Sequence, residues 1–109
     1  MGKIINLGNF ELDFPKSLVK NIENYDIEKE INKLGPGWRI ATYGEMKYLF
    51  SIQSRFNTLK FLEDDDLYVC GERRNLCCFI EGKRLDSLFI SDPYEEENNR
   101  FDYIIIKDI

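Results

Sequence analysis

The stretch Leu34-Gly35-Pro36-Gly37-Trp38-Arg39-Ile40-Ala41-Thr42-Tyr43-Gly44-Glu45-Met46 constrains the fold more tightly than any other part of this chain. It reads as the end of one helix, a glycine-proline turn, a short Trp-Arg strand and the capped start of a second helix. Gly35 suits the left-handed position just past a helix C-terminus, and Pro36 cannot continue that helix. Thr42 and Glu45 have capping-box spacing: the hydroxyl covers one free N–H and the carboxylate reaches back to another. Met46, Leu49 and Phe50 then fall on one helical face. Trp38 is expected in the core, and Arg39 beside a carboxylate.

On the N-terminal side, Lys3 to Leu7 and Phe10 to Phe14 are β-type stretches separated by the turn signal Gly8-Asn9. Phe10, Leu12 and Phe14 alternate with Glu11 and Asp13, the period-two mark of a half-buried strand. Pro15 ends it. Ser17 to Ile22 reads as a helical turn with Leu18, Val19 and Ile22 on one side. Asp26 stands at an N-cap position, ahead of an Ile27, Ile31, Leu34 stripe of helical spacing. The second helix is expected from Tyr43 to about Gln53 or Ser54. Short β segments follow over Thr58 to Leu62, Leu67 to Cys70, Leu76 to Ile80, Leu85 to Ile90 and Phe101 to Lys107. Glu81-Gly82-Lys83-Arg84 is a hairpin connection, and Asp92 to Arg100 is too polar for a strand and reads as an exposed loop. No repeat or linker divides the chain, so residues 1–109 form a single α+β domain. Two helices in the N-terminal half pack on a small, mainly antiparallel sheet.

This order of elements resembles a bacterial branch of the C-type-lectin-like fold, related in shape to formylglycine-generating enzymes. Those modules carry Gly-Trp-Arg-Leu-Pro-Thr, then Glu-Leu opening a helix, then a Tyr-Trp-Ser-Ser strand. The matching residues are Gly37, Trp38, Arg39, Ile40, Ala41 and Thr42, followed by Glu45 and Met46, with Tyr68-Val69-Cys70-Gly71 as the later strand. Ala41 stands where the family has Pro, and Val69-Cys70-Gly71 where it has Trp-Ser-Ser. Phe101 to Lys107 lies where that family closes its sheet. The resemblance spans about Asn24 to the C-terminus and implies an interaction module that displays binding loops from a rigid sheet.

Composition narrows the chemistry further. The 109 residues include no histidine. That removes Ser-His-Asp and Cys-His catalysis, HExxH sites and zinc sites built on imidazole. Three cysteines without a CxxC pair cannot form a four-thiolate zinc site, and Gly35-Pro36-Gly37 has neither the spacing nor the lysine of a P-loop. A net charge of −5 disfavours direct nucleic-acid binding, which needs clustered cations, and suits a basic partner. Nothing resembles a signal peptide or a membrane span, the longest aliphatic run being Ile104-Ile105-Ile106. Cys70, Cys77 and Cys78 are odd in number with two adjacent, which fits reduced, buried thiols and a cytoplasmic protein. Strand alternation sends Cys77 and Cys78 to opposite faces, one of them in part exposed.

Each remaining polar cluster has a bland reading beside a sharper one. Cys77-Cys78 lies in the apolar run Leu76 to Ile80, where burial suppresses thiol reactivity, and reads as core rather than catalytic. Glu63-Asp64-Asp65-Asp66 lacks EF-hand spacing and reads as a solvated acidic turn, with no metal. Tyr94-Glu95-Glu96-Glu97 is either a solvated loop or a recognition loop, in which Tyr94 anchors and the carboxylates steer a basic partner. Arg73 and Arg74 form a second charged turn, either a solubilising tip or part of the interface. The expectation is a cytoplasmic, non-catalytic protein-binding module without cofactor. Tyr94, Glu95, Glu96, Glu97, Arg73 and Arg74 form its partner-binding residues. An accessory or inhibitor protein of a mobile element, acting on a host protein, is one such role. The alternative is a small-molecule-binding or enzyme-like relative in which Tyr68, Glu72 or Asp102 converge in a sheet-edge cleft.

Overall fold

A computed structural model of the chain describes residues 3–14, 16–23, 26–55, 62–63, 66–73, 75–90 and 100–109. Three strands come first: β1 (Lys3–Asn6), β2 (Phe10–Phe14) and β3 (Leu18–Glu23). Helix α1 (Ile27–Leu34), strand β4 (Trp38–Ile40) and helix α2 (Tyr43–Arg55) follow. Strands β5 (Tyr68–Val69), β6 (Leu76–Glu81), β7 (Arg84–Phe89) and β8 (Arg100–Asp108) complete the described elements. The fold is α+β, with a mixed sheet ordered β1-β2-β8-β5-β6-β7 and with β3 and β4 also paired to β8. Every described pairing is antiparallel except β5 with β8.

β8 is the spine. It pairs with β2, β3, β4 and β5, so the last strand runs through the middle of the sheet. Its alternate residues enter different cores. Ile104 and Ile106 pack with Met46 and Leu49 of α2, together with Leu12, Tyr68, Cys70 and Cys78. Phe101, Tyr103 and Ile105 pack with Ile27 of α1, Val69 and Cys77, and Ile31 and Leu34 lie against them. One helix thus covers each face, and a strand buried on both faces carries a continuous apolar run, here Tyr103 to Ile106.

Several elements differ from the sequence reading, each for a physical reason. Ser17 to Ile22 is not a helical turn: Leu18 to Glu23 pairs with β8, and backbone partners from the far end of the chain decide the conformation. Asp26 stands at the N-cap of α1 as expected, but its backbone is already helical (φ −88°, ψ −15°) and its carboxylate makes no capping bond. Gly35 has the expected positive φ of 97°, but its ψ of −174° takes it out of the left-handed helical region into one that only glycine occupies comfortably. Cys77 and Cys78 do face opposite ways, yet both are fully buried, since both faces of β6 are covered. Burial pushes the Cys77 thiol up to about 12; the hydrogen bond that the Cys78 thiol makes to Cys70, and then burial, push Cys78 up further still.

The second helix begins at Tyr43 as expected, and β6, β7 and their Glu81–Arg84 turn match the reading within a residue or two. The expected strand Thr58 to Leu62 falls outside the described residues apart from Leu62. The expected loop Asp92 to Arg100 does so apart from Arg100, which opens β8.

Candidate functional site

The Trp38-Arg39 strand is fixed in place by charge and by caps. Arg39 sends Nη1 and Nη2 to the two carboxylate oxygens of Glu45, both at 2.7 Å, and Nε and Nη2 to the oxygens of Asp108, both at 2.9 Å. Such paired forks fix a guanidinium's orientation as well as its position. Glu45 also accepts the Thr42 N–H at 2.9 Å, while the Thr42 hydroxyl accepts the Glu45 N–H at 3.2 Å. The capping box is formed, and Arg39 ties it to the end of β8.

Partial burial pushes the Glu45 carboxyl up, but its bonds from Arg39 and Thr42 outweigh this and hold it below its ordinary value. The Arg39 hydrogen bond likewise lowers Asp108. A carboxyl lowered on folding supplies stability that is present above its ordinary value and lost as pH falls below it. The stability contributed by Glu45 and Asp108 is therefore expected to fade below their ordinary values of 4.5 and 3.8. Urea unfolding across that range checks this: Arg39→Gln should flatten the acid slope, and an unchanged slope would refute the clamp's role. Thr42→Ala should cost about 1 kcal/mol at neutral pH.

Against this frame lies the turn after β5. Gly71 donates its N–H to the Ala41 carbonyl at 2.8 Å, so its backbone rests directly on the end of β4. That contact brings Glu72 to the start of α2, where both carboxylate oxygens accept the Tyr43 N–H at 2.8 and 3.0 Å. A carboxylate at a helix N-terminus satisfies a free donor and opposes the positive end of the dipole.

An open groove of about 360 Å³ results, lined by Glu28 and Ile31 of α1, Trp38 and Arg39 of β4, and Glu72 and Arg73 of the turn. Trp38 is only half-buried, which corrects the expectation of a core tryptophan. It packs against the α1-side cluster and also lines the groove. Its strand is three residues long and pairs antiparallel with the end of β8, outside the β1-β2-β8-β5-β6-β7 order.

Of the expected partner-binding residues, Arg73 is exposed on this groove; Arg74, Tyr94, Glu95, Glu96 and Glu97 lie outside the described residues. The alternative trio does not converge. Tyr68 is buried with its hydroxyl accepting the Glu63 N–H at 2.9 Å, Glu72 lines the groove, and Asp102 lines a different concavity of about 420 Å³. Glu63 and Asp66 of the acidic run are engaged by Lys20, at 3.0 and 3.6 Å. Among the described residues no three His, Cys, Asp or Glu side chains gather in a way that would hold a metal ion, and no helix is long and apolar enough to cross a membrane.

The sequence reading missed Glu28 and Ile31 as groove residues, because α1 meets β4 only after folding. It also missed the partnership of Lys20, Asp66 and Asp102. A signal existed for the last of these: Asp102 is a lone carboxylate inside the apolar run that reads as a buried strand. No family model, curated protein or solved structure matches the chain.

Proposed function

We propose that this chain is a non-catalytic protein-binding module that engages a basic protein surface through the Trp38 groove. The observation that carries the reading is a half-buried Trp38 seated on a strand held by four guanidinium–carboxylate hydrogen bonds and flanked by charged side chains. Interface hot spots have this composition: a large aromatic anchor on a rigid support, ringed by polar groups. Pre-organisation matters because side chains already fixed lose little freedom on binding. The net charge of −5 and the Glu95-Glu96-Glu97 run favour a basic partner. The resemblance to C-type-lectin-like modules supports the same class, and an accessory or inhibitor protein of a mobile element acting on a host protein is a role of that kind.

The test begins with affinity capture from the native cell and continues with binding kinetics on the purified partner. Trp38→Ala should weaken binding by roughly 30-fold or more, chiefly through faster dissociation. Replacing Glu95, Glu96 and Glu97 together by Gln should slow association at low salt and matter less at high salt. Circular dichroism must show Trp38→Ala folded. A folded Trp38→Ala variant with unchanged affinity would rule out the groove, and Tyr94 would become the next anchor to test.

A further inference from the structure

The hydrogen bonds of Arg39 restrict what the Trp38 groove can hold. A guanidinium carries five N–H donors. In Arg39, Nε and Nη2 bond Asp108, Nη1 and Nη2 bond Glu45, and Nη1 also reaches the Ile40 carbonyl at 3.5 Å. Every donor thus has an acceptor inside the protein. Arg39 lines the groove, yet a phosphate or carboxylate bound there would find no N–H of Arg39 left to bond.

Acceptors, by contrast, are in surplus. Both Glu72 oxygens share one donor, the Tyr43 N–H at 2.8 and 3.0 Å, while an ionised carboxylate has about four lone-pair sites. Glu28 adds a second carboxylate from α1. With the two carboxylates that hold Arg39 included, Glu28, Glu45, Glu72 and Asp108 stand against two guanidiniums, Arg39 and Arg73. The balance favours a cation. The rest of the lining includes the half-buried Trp38 ring, with Ile31 and Ile40. At about 360 Å³ the groove is near the lower end of the roughly 300–1,000 Å³ span of ligand pockets, which suits one side chain rather than a large molecule.

We propose that the Trp38 groove receives an arginine side chain of the partner protein, stacked on the Trp38 ring and hydrogen-bonded to Glu72. This deepens the reading of the groove as a docking site for a basic surface, and it rests on that reading. Arginine suits the site better than lysine. Its planar guanidinium stacks on an aromatic face, offers a fork to a carboxylate and is more weakly hydrated than an ammonium. Its aliphatic stem covers Ile31 and Ile40. Arg73, exposed on the groove, is a like charge that such an occupant has to approach, whereas an anion would gain from it. Cationic and anionic ligands therefore predict opposite effects when Arg73 is replaced.

Trp38 is the chain's only tryptophan, so its fluorescence reports the groove directly. The probes are capped alanine peptides with a single central arginine, lysine, glutamine or glutamate, added to the full chain. The arginine peptide should shift the emission saturably, with a Kd of about 1–10 mM, the scale for one side chain. The lysine peptide should bind at least about threefold more weakly, and the glutamine and glutamate peptides should give no saturable shift. Glu72→Gln keeps an oxygen for the Tyr43 N–H, and should weaken the arginine peptide about three- to fivefold, the scale of an exposed ion pair. Arg73→Gln should tighten it about twofold. No saturable response to the arginine peptide, equal binding of the lysine peptide, tighter binding of the glutamate peptide or an unchanged Kd in Glu72→Gln would overturn the arginine. Those results would leave the groove itself as a docking surface, which Trp38→Ala judges separately on the captured partner.

Discussion

Gly71→Ala is expected to destabilise the protein by about 3 kcal/mol or more, the upper end of what overpacking costs. A Cβ at this position would overlap the Ile40 carbonyl oxygen, and would also lie 3.1 Å from the Ile40 carbonyl carbon and 3.4 Å from the Ala41 oxygen. All three obstacles are backbone, so no rotamer change clears them. Nor can the backbone retreat easily. Ala41 donates to the Ile104 carbonyl at 2.9 Å, Trp38 to Ile40 is in register with β8, and Gly71 itself donates to Ala41 at 2.8 Å. Relief would require moving the β5 turn away from β4, with loss of that bond and of Glu72 from the start of α2. Equilibrium urea unfolding measures the cost. A loss below about 1 kcal/mol would mean the turn sits farther from β4 than described. A folded remnant of the variant should also show an altered Trp38 environment by fluorescence, because the turn forms one wall of its groove.

What the sequence made legible, and what it hid, divides along contact range. The capping box was readable because Thr42 and Glu45 are three residues apart and their bonds depend on nothing else. The Met46, Leu49 and Phe50 face was readable for the same reason: periodicity reports a helix's own geometry. Arg39 was expected beside a carboxylate, but which ones could not be known. Glu45 is six residues away and Asp108 sixty-nine. Leu18, Val19 and Ile22 suit a helical turn and a bulged strand equally, and only pairing with β8 chooses between them. Cys77 and Cys78 were correctly placed on opposite faces, yet their full burial depends on helices far away in the chain covering both. The groove was least legible, since its walls come from α1, β4 and the turn after β5, and no single stretch contains it.

The place of β8 yields the sharpest remaining test. Were β8 covered on one side only, Ile104 and Ile105 could not both be structural, since adjacent strand residues face opposite ways. Both are fully buried, Ile104 in the α2-side cluster and Ile105 in the α1-side cluster. Ile104→Ala and Ile105→Ala should therefore each cost roughly 2–5 kcal/mol, the range for isoleucine truncation in a packed core. Both belong near the upper half of that range, because the surrounding backbone is pinned and collapses poorly onto a void. Ile105 donates its N–H to the Ser17 carbonyl at 2.7 Å, and its neighbours pair with β3 on one part of the strand and β4 on the other. Ile4→Ala on β1, the outermost strand of the sheet, supplies the contrast. That side chain is 65 % exposed, so its truncation should change stability by about 0.5 kcal/mol or less. Chemical denaturation of the three variants with an unchanged dependence on denaturant would read out stability alone. A large loss for one of the β8 isoleucines and a near-silent change for the other would mean that one face of the sheet is open. The pairing of β8 with four strands would then have to be redrawn with β8 at an edge.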